Sequence, residues 1–147
     1  MATKVIDKYE KALKLALETD ANFGSAYELL VSASEEGDNR ATYALATWHL
    51  FGRYVRKNLR KAVKLLRSAD RLGNVDATYD LAICYETGKG VKKNAAMAFR
   101  LYMKAAIRGD KQSVLEVGRM YYYGIGTERN RKLATIWLDR ADELGVE

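Results

Sequence analysis

Residues 77–110 read ATYDLAICYETGKGVKKNAAMAFRLYMKAAIRGD, and the chain repeats that pattern on both sides. Upstream, from residue 41, it lies on ATYALATWHLFGRYVRKNLRKAVKLLRSADRLGN, a step of 77 − 41 = 36 residues. Downstream by the same step it lies on SVLEVGRMYYYGIGTERNRKLATIWLDRADELGV. The register needs no gap: Gly52, Gly88 and Gly124 coincide, as do Asn58, Asn94 and Asn130, and Ala62, Ala98 and Ala134. Ala69, Ala105 and Ala141 follow, then Gly73, Gly109 and Gly145. A fixed period of this size marks a solenoid, in which each unit buries its apolar face against its neighbours.

Each unit divides into two helices. The first, such as Ala77 to Thr87, stops at Gly88, because glycine takes the left-handed conformation without steric cost. The second begins at Asn58, Asn94 or Asn130, a residue type whose side chain accepts the free N–H groups at a helix start. The recurring Ala62, Ala98 and Ala134 let the two helices approach closely. Spacing of four puts Leu45/His49, Leu81/Tyr85 and Val117/Tyr121 in the core. In the second helices Val63, Leu66 and Ala69 recur as Phe99, Tyr102 and Ala105, then as Thr135, Leu138 and Ala141. Upstream of residue 41 the pattern continues through Asn22, Ala26, Ala33 and Gly37. Before that, Lys4 to Glu18 reads as a divergent capping helix with Val5, Tyr9, Ala12, Leu13 and Ala16 on one face. The expected architecture is all-α: a right-handed superhelical solenoid of antiparallel hairpins with about eight helices. It forms a single domain over 1–147, with a divergent repeat at 5–40 and full repeats at 41–76, 77–112 and 113–147.

Composition agrees. The chain has 147 residues, 48% of them hydrophobic and 30% charged, with no proline. That length suffices for a core, and the lack of proline favours uninterrupted helices. No apolar run reaches the ~18 residues of a membrane span, and the charged start is not a signal peptide. The single Cys84 excludes an internal disulfide and suits a reducing compartment, so the expected location is cytoplasmic. The net charge of +6 is uneven. Residues 1–40 hold 5 Lys/Arg against 8 Asp/Glu, residues 41–76 hold 8 against 2, residues 77–112 hold 7 against 3, and residues 113–147 hold 5 against 6. A basic middle with acidic ends bears on partners more than on fold.

The pattern A-x-x-x-L-A/G-x-x-Y-x-x-G-x-G-V, a polar loop, then A-x-x-x-Y-x-x-A-A-x-x-G resembles the Sel-1-like repeat, a relative of the tetratricopeptide repeat. It is clearest in Ala77 to Gly109 and covers 41–145 well and 22–40 in part. Three departures stand out: His49 replaces tyrosine, Tyr54 replaces the second loop glycine, and Thr127 replaces valine. The resemblance implies a non-enzymatic module that holds protein partners. In bacteria it implies roles such as signalling adaptors, virulence-associated proteins and immunity proteins of toxin systems. A cysteine-rich, secreted branch linked to penicillin binding depends on paired cysteines, which a chain with one cysteine does not have.

The candidate sites are weighed against that scaffold. GKGVKKN at 88–94 lacks the Gly-x-x-x-x-Gly-Lys-Ser/Thr of a phosphate loop, and its glycines recur as turn residues. His49 has no nucleophile–base arrangement around it in the pattern, and Cys84 aligns with Trp48 and Met120 as a packed residue. No Cys/His cluster suggests a metal, and no cofactor or catalysis is expected. By resemblance the first helices line a concave face, where Tyr43, Thr47, Phe51, Tyr79, Ile83, Glu86, Arg119, Tyr122 and Tyr123 would bind a protein or peptide. Tyrosine and arginine are enriched in binding hot spots. The alternative is a basic face of Arg60, Lys61, Lys64, Arg67, Arg100 and Lys104, docking an acidic protein or nucleic acid. Nucleic acid is the weaker of those two, since the basic residues are not interleaved with exposed aromatics. The last helix, with Leu133, Trp137 and Leu144, would leave an apolar end that could pair with a second copy.

Overall fold

The structure is a computed structural model that describes residues 7–18 and 22–147. Among the described residues eight helices follow one another: α1 (Lys8–Leu17), α2 (Phe23–Glu35), α3 (Asn39–Phe51), α4 (Leu59–Arg71), α5 (Val75–Thr87), α6 (Ala95–Ile107), α7 (Lys111–Tyr123) and α8 (Arg131–Glu143). No strand occurs among the described residues. The helices form two compact units, one ending at Asn74 with α1–α4 and one spanning Val75–Glu147 with α5–α8. Within each unit, every helix packs on the next in the chain. Helices α3, α5 and α7 start two residues before Ala41, Ala77 and Ser113, because Asp38 and Asp110 cap α3 and α7 by accepting backbone N–H groups.

The second helices begin as their asparagines dictate. Asn22, Asn58, Asn94 and Asn130 each accept the backbone N–H three residues on, at 3.0–3.1 Å. The backbone N–H groups of Asn58, Asn94 and Asn130 donate to the carbonyls of His49, Tyr85 and Tyr121 at 2.8–2.9 Å. One residue type therefore opens a helix and ties the loop back to the helix before it. The alanines pack as expected: Ala26, Ala62, Ala98 and Ala134 are fully buried, with Ala69, Ala105 and Ala141 beside them. Leu45, Leu81, Val117, Val63, Leu66 and Tyr102 complete these layers.

Several expected core positions differ. Leu13 of α1 is 38% exposed, and Leu15 packs on the core in its place. Thr135 is exposed, its hydroxyl donating to the Arg131 carbonyl at 2.9 Å, which satisfies it without burial. Tyr85 and Tyr121 are only half-buried, whereas His49 in the equivalent place is 6% exposed. Val5 and the expected start of α1 at Lys4 lie outside the described residues.

The loop between the paired helices shows why glycine recurs there. Gly88 has φ +74°, and its N–H closes on the Cys84 carbonyl at 2.8 Å. At the second loop position Gly126 has φ +68°, and a Cβ there would stand 2.1 Å from the Ala95 carbonyl oxygen. Tyr54 occupies the same loop position with φ 65°, a conformation that costs a side-chain-bearing residue roughly 1–2 kcal/mol. Its ring stacks on Phe23 at 4.0 Å and meets Trp48 edge-on at 4.7 Å, which offsets that strain.

At the head of the first unit, Arg40 bridges two helix caps. Its Nη2 lies 3.0 Å from Asp7 and 2.8 Å from Asp38, and its guanidinium covers the Tyr9 ring at 4.6 Å. Hydrogen bonding to the Glu10 amide, then to Arg40, lowers the Asp7 pKa, and the Arg40 hydrogen bond lowers that of Asp38. Carboxyls depressed on folding stabilise the protein above the ordinary carboxylate range, and that stabilisation is lost as pH falls through it.

Replacing Gly88 by Val should lower stability by at least about 1 kcal/mol in thermal unfolding, because valine resists positive φ; an unchanged melting temperature would contradict the turn. Asp38→Asn keeps a capping oxygen but no charge, so the variant should be less stable at neutral pH. The gap to the parent should close on acidification below about pH 4, a course that melting curves across pH would follow.

Candidate functional site

Helices α5 and α7 of the second unit carry most of the residues expected to bind a partner. Arg119 is at the centre of an ion-pair cluster there. Its Nη2 donates to Glu86 Oε1 at 2.5 Å and its Nε to Glu116 Oε2 at 2.7 Å. The second oxygen of Glu86 accepts the Tyr102 hydroxyl at 2.8 Å. Burial, then the Glu86 hydrogen bond, raises the Tyr102 pKa far above its ordinary value, so the phenol stays protonated and donating. Tyr79 sits beside Tyr102, with ring centroids 5.7 Å apart, and its pKa is raised by burial first and then by Glu116 and the other acidic neighbours. Glu86 and Arg119 therefore serve each other before they serve a ligand. That was not legible in the sequence, because they lie 33 residues apart.

Beside this cluster is a groove of about 410 Å³ lined by Leu115, Glu116, Arg119, Tyr122, Tyr123 and Leu138. It runs between α7 and α8, and Leu138, expected to be core, forms part of its wall. Tyr122 is held in place, its ring 4.9 Å from that of Tyr123 and covered by the Arg131 guanidinium at 4.3 Å. Tyr123 is 64% exposed. An apolar and aromatic wall with ion-paired charge at its rim can take an apolar side chain without leaving a charge unpaired. Ile83 is half-buried on α5.

In the first unit, α3 carries Tyr43, Thr47 and Phe51. Tyr43 is half-buried, and the Thr47 hydroxyl donates to the Ala44 carbonyl at 2.8 Å. Phe51 is 65% exposed. Of the basic residues, Arg60, Lys61 and Lys64 are exposed on α4 and line a pocket of about 550 Å³ with Asn58, Leu65 and Ser68. Arg67 is half-buried; in the second unit Arg100 is exposed and Lys104 half-buried. On α8, Leu133, Trp137 and Leu144 are half-buried, and Ile136 is 63% exposed. Cys84 is buried, and burial raises its thiol pKa, the opposite of a reactive cysteine. Among the described residues no group of three His, Cys, Asp or Glu side chains could hold a metal ion. No described helix is long and apolar enough to cross a membrane.

These paired helices, closed by asparagine caps at a constant step, define an α-helical repeat protein of the solenoid class. The Sel1 repeat model matches residues 39–74, 75–110 and 112–146, and the chain belongs to the Sel1-repeat family, whose repeats generally mediate protein–protein interaction. Among solved structures, a protective antigen present in uropathogenic Escherichia coli strains and displaying an SLR fold is similar, with a TM-score of 0.89 and 26% identity. That likeness covers 94% of this chain but only 30% of the antigen, so this chain spans less than a third of that protein. A Sel1 repeat protein from Oxalobacter formigenes matches with a TM-score of 0.74 and 33% identity over 80% of this chain and 89% of its own. Helicobacter pylori cysteine rich protein B matches with a TM-score of 0.65 and 26% identity over 90% and 95%. A search of curated proteins finds no match to the sequence.

Arg119→Met should leave Glu86 and Glu116 without their shared cation. Stability should fall by roughly 1 kcal/mol in thermal unfolding at low ionic strength, and by less in concentrated salt, which screens the parent's ion pairs. Equal losses at the two salt concentrations would show that packing, rather than charge, is what Arg119 contributes.

Proposed function

We propose that the chain is a non-enzymatic protein-interaction module that seats a protein or peptide partner against its first helices, anchored in the α7–α8 groove. The observation that carries this reading is the groove itself. Tyr122 is fixed by Tyr123 and Arg131, Leu115 and Leu138 supply apolar wall, and the Glu86–Arg119–Glu116 cluster keeps the rim charges paired. A rigid aromatic wall loses little entropy when it binds, which is how tyrosines come to dominate interfaces. Tyr79 and Ile83 extend the contact surface on α5 of the same unit, and Tyr43, Thr47 and Phe51 on α3 offer a contact surface of the first unit. The 5–40 segment acts as a divergent fourth repeat within one solenoid domain, and the location is cytoplasmic.

The finer role is that of a bacterial adaptor, with an immunity protein that neutralises a cognate toxin as its sharper form. Likeness to a protective antigen of uropathogenic Escherichia coli supports a virulence-associated setting. A second reading rests on α4, where exposed Arg60, Lys61 and Lys64 form a face suited to an acidic protein.

Tagged pull-down with mass spectrometry at low and high salt tests both. Tyr122→Ala with Tyr123→Ala should abolish capture of the retained partner while leaving far-UV helicity unchanged. Capture that survives this change but fails after Lys61→Glu with Lys64→Glu would move the site to the basic face.

A further inference from the structure

The surface beside the α7–α8 groove opposes the charge of the chain. The whole chain carries +6, and residues 77–112 hold seven Lys/Arg against three Asp/Glu. Those three carboxylates, Asp80, Glu86 and Asp110, nonetheless all act on the Tyr79 phenol, together with Glu116 of α7. Burial raises the Tyr79 pKa first, and the four carboxylates add to it, Glu116 most. The ion pairs agree. Glu86 and Glu116 share the single guanidinium of Arg119, at 2.5 and 2.7 Å, so their cluster keeps one negative charge over. Glu116 and Arg119 also line the groove, which puts that surplus at its edge. Arg131 lies over the Tyr122 ring and does not line the groove.

The same unit shows what fills a surface of this kind. A step of 36 residues upstream places Leu115, Glu116, Arg119, Tyr122 and Leu138 on Tyr79, Asp80, Ile83, Glu86 and Tyr102. There the neighbour is a helix, α7, which packs on α6, sets Tyr121 edge-on to Phe99 at 5.1 Å and delivers Arg119 to Glu86. In the α7–α8 groove two polar receivers have given way, Glu86 to Tyr122 and Tyr102 to Leu138, while Glu116 keeps the carboxylate of Asp80. An apolar anchor therefore suits the centre, and a cation suits the Glu116 edge. Thr135 stands where α6 has Phe99, so a further repeat of this pattern would not find the ring that Tyr121 meets.

We propose that the α7–α8 groove takes a basic amphipathic helix of a protein partner, with its apolar face on Tyr122 and Leu138 and its lysines or arginines against Glu116 and the carboxylates beside it. This rests on the groove being the partner site, and adds the chemistry of the partner.

The probe is a synthetic helix of 13 residues, the length of α7, with leucine at every third or fourth position and lysine on either side. Titrated into the full chain at physiological ionic strength, it should show saturable 1:1 binding by calorimetry. Amide NMR should place the largest shifts on α7 and α8. A counterpart with glutamate for every lysine should bind at least about ten-fold more weakly, despite the chain's charge of +6, and so should one with serine for every leucine. Glu116→Gln keeps the shape of the side chain, and should weaken the lysine peptide about three-fold without weakening its glutamate counterpart. Equal or tighter binding of the glutamate peptide at α7 and α8 would overturn the charge assignment and leave the groove reading standing. No binding of either peptide would overturn both. Undiminished affinity of the serine peptide, or shifts centred on the first unit, would overturn the seat in the groove. So would a parent chain that dimerises in light scattering while Tyr122→Ala stays monomeric, since a second copy would then be the occupant.

Discussion

Everything else in the two units depends on the asparagine that opens each second helix. It is bonded in both directions: the side chain accepts an N–H of the helix it starts, and the backbone N–H donates to the carbonyl near the end of the helix before. At Asn58, Asn94 and Asn130 these paired bonds hold two helix ends together across a loop. A helix terminus otherwise leaves four polar groups unpaired, and pairing helices at close range would bury some of them. With the caps in place, alanine can sit at the contact and bring the helices close without an unpaired N–H beneath it.

Because the scaffold is satisfied within itself, residues that differ between copies are free to do something else. In the second unit the difference is expressed as the Glu86–Arg119–Glu116 cluster and the aromatic wall beside it. In the first it is expressed as His49, Lys61 and Tyr54. Tyr54 shows the trade most directly: it accepts backbone strain that glycine would avoid, and in return joins Phe23 and Trp48 in an aromatic stack.

Much of this was legible from the period. The paired helices, the asparagine caps of the second helices, the left-handed turns and the buried alanines all follow from the 36-residue step, and the family match agrees with them. The step also marked Arg119, Tyr122 and Tyr123 as departures. It could not show that Arg119 is already committed to two glutamates, since a period aligns equivalent residues and is silent about partners on neighbouring helices. Leu13 was misassigned for a related reason. On a short helix with apolar residues at 12, 13, 15 and 16, spacing allows two faces, and packing on α2 selects the one that contains Leu15.

The sequence by itself determined the repeat, because backbone capping and positive-φ turns are local and each demands a particular residue type. It determined the family for the same reason. Tertiary structure decided what the departures mean. What a lone histidine meets is set by other elements: the Tyr27 hydroxyl of α2 faces His49 Nε2, and Lys61 of α4 donates to that hydroxyl. Hydrogen-bond direction is a property of three-dimensional neighbours, and no spacing along a chain encodes it.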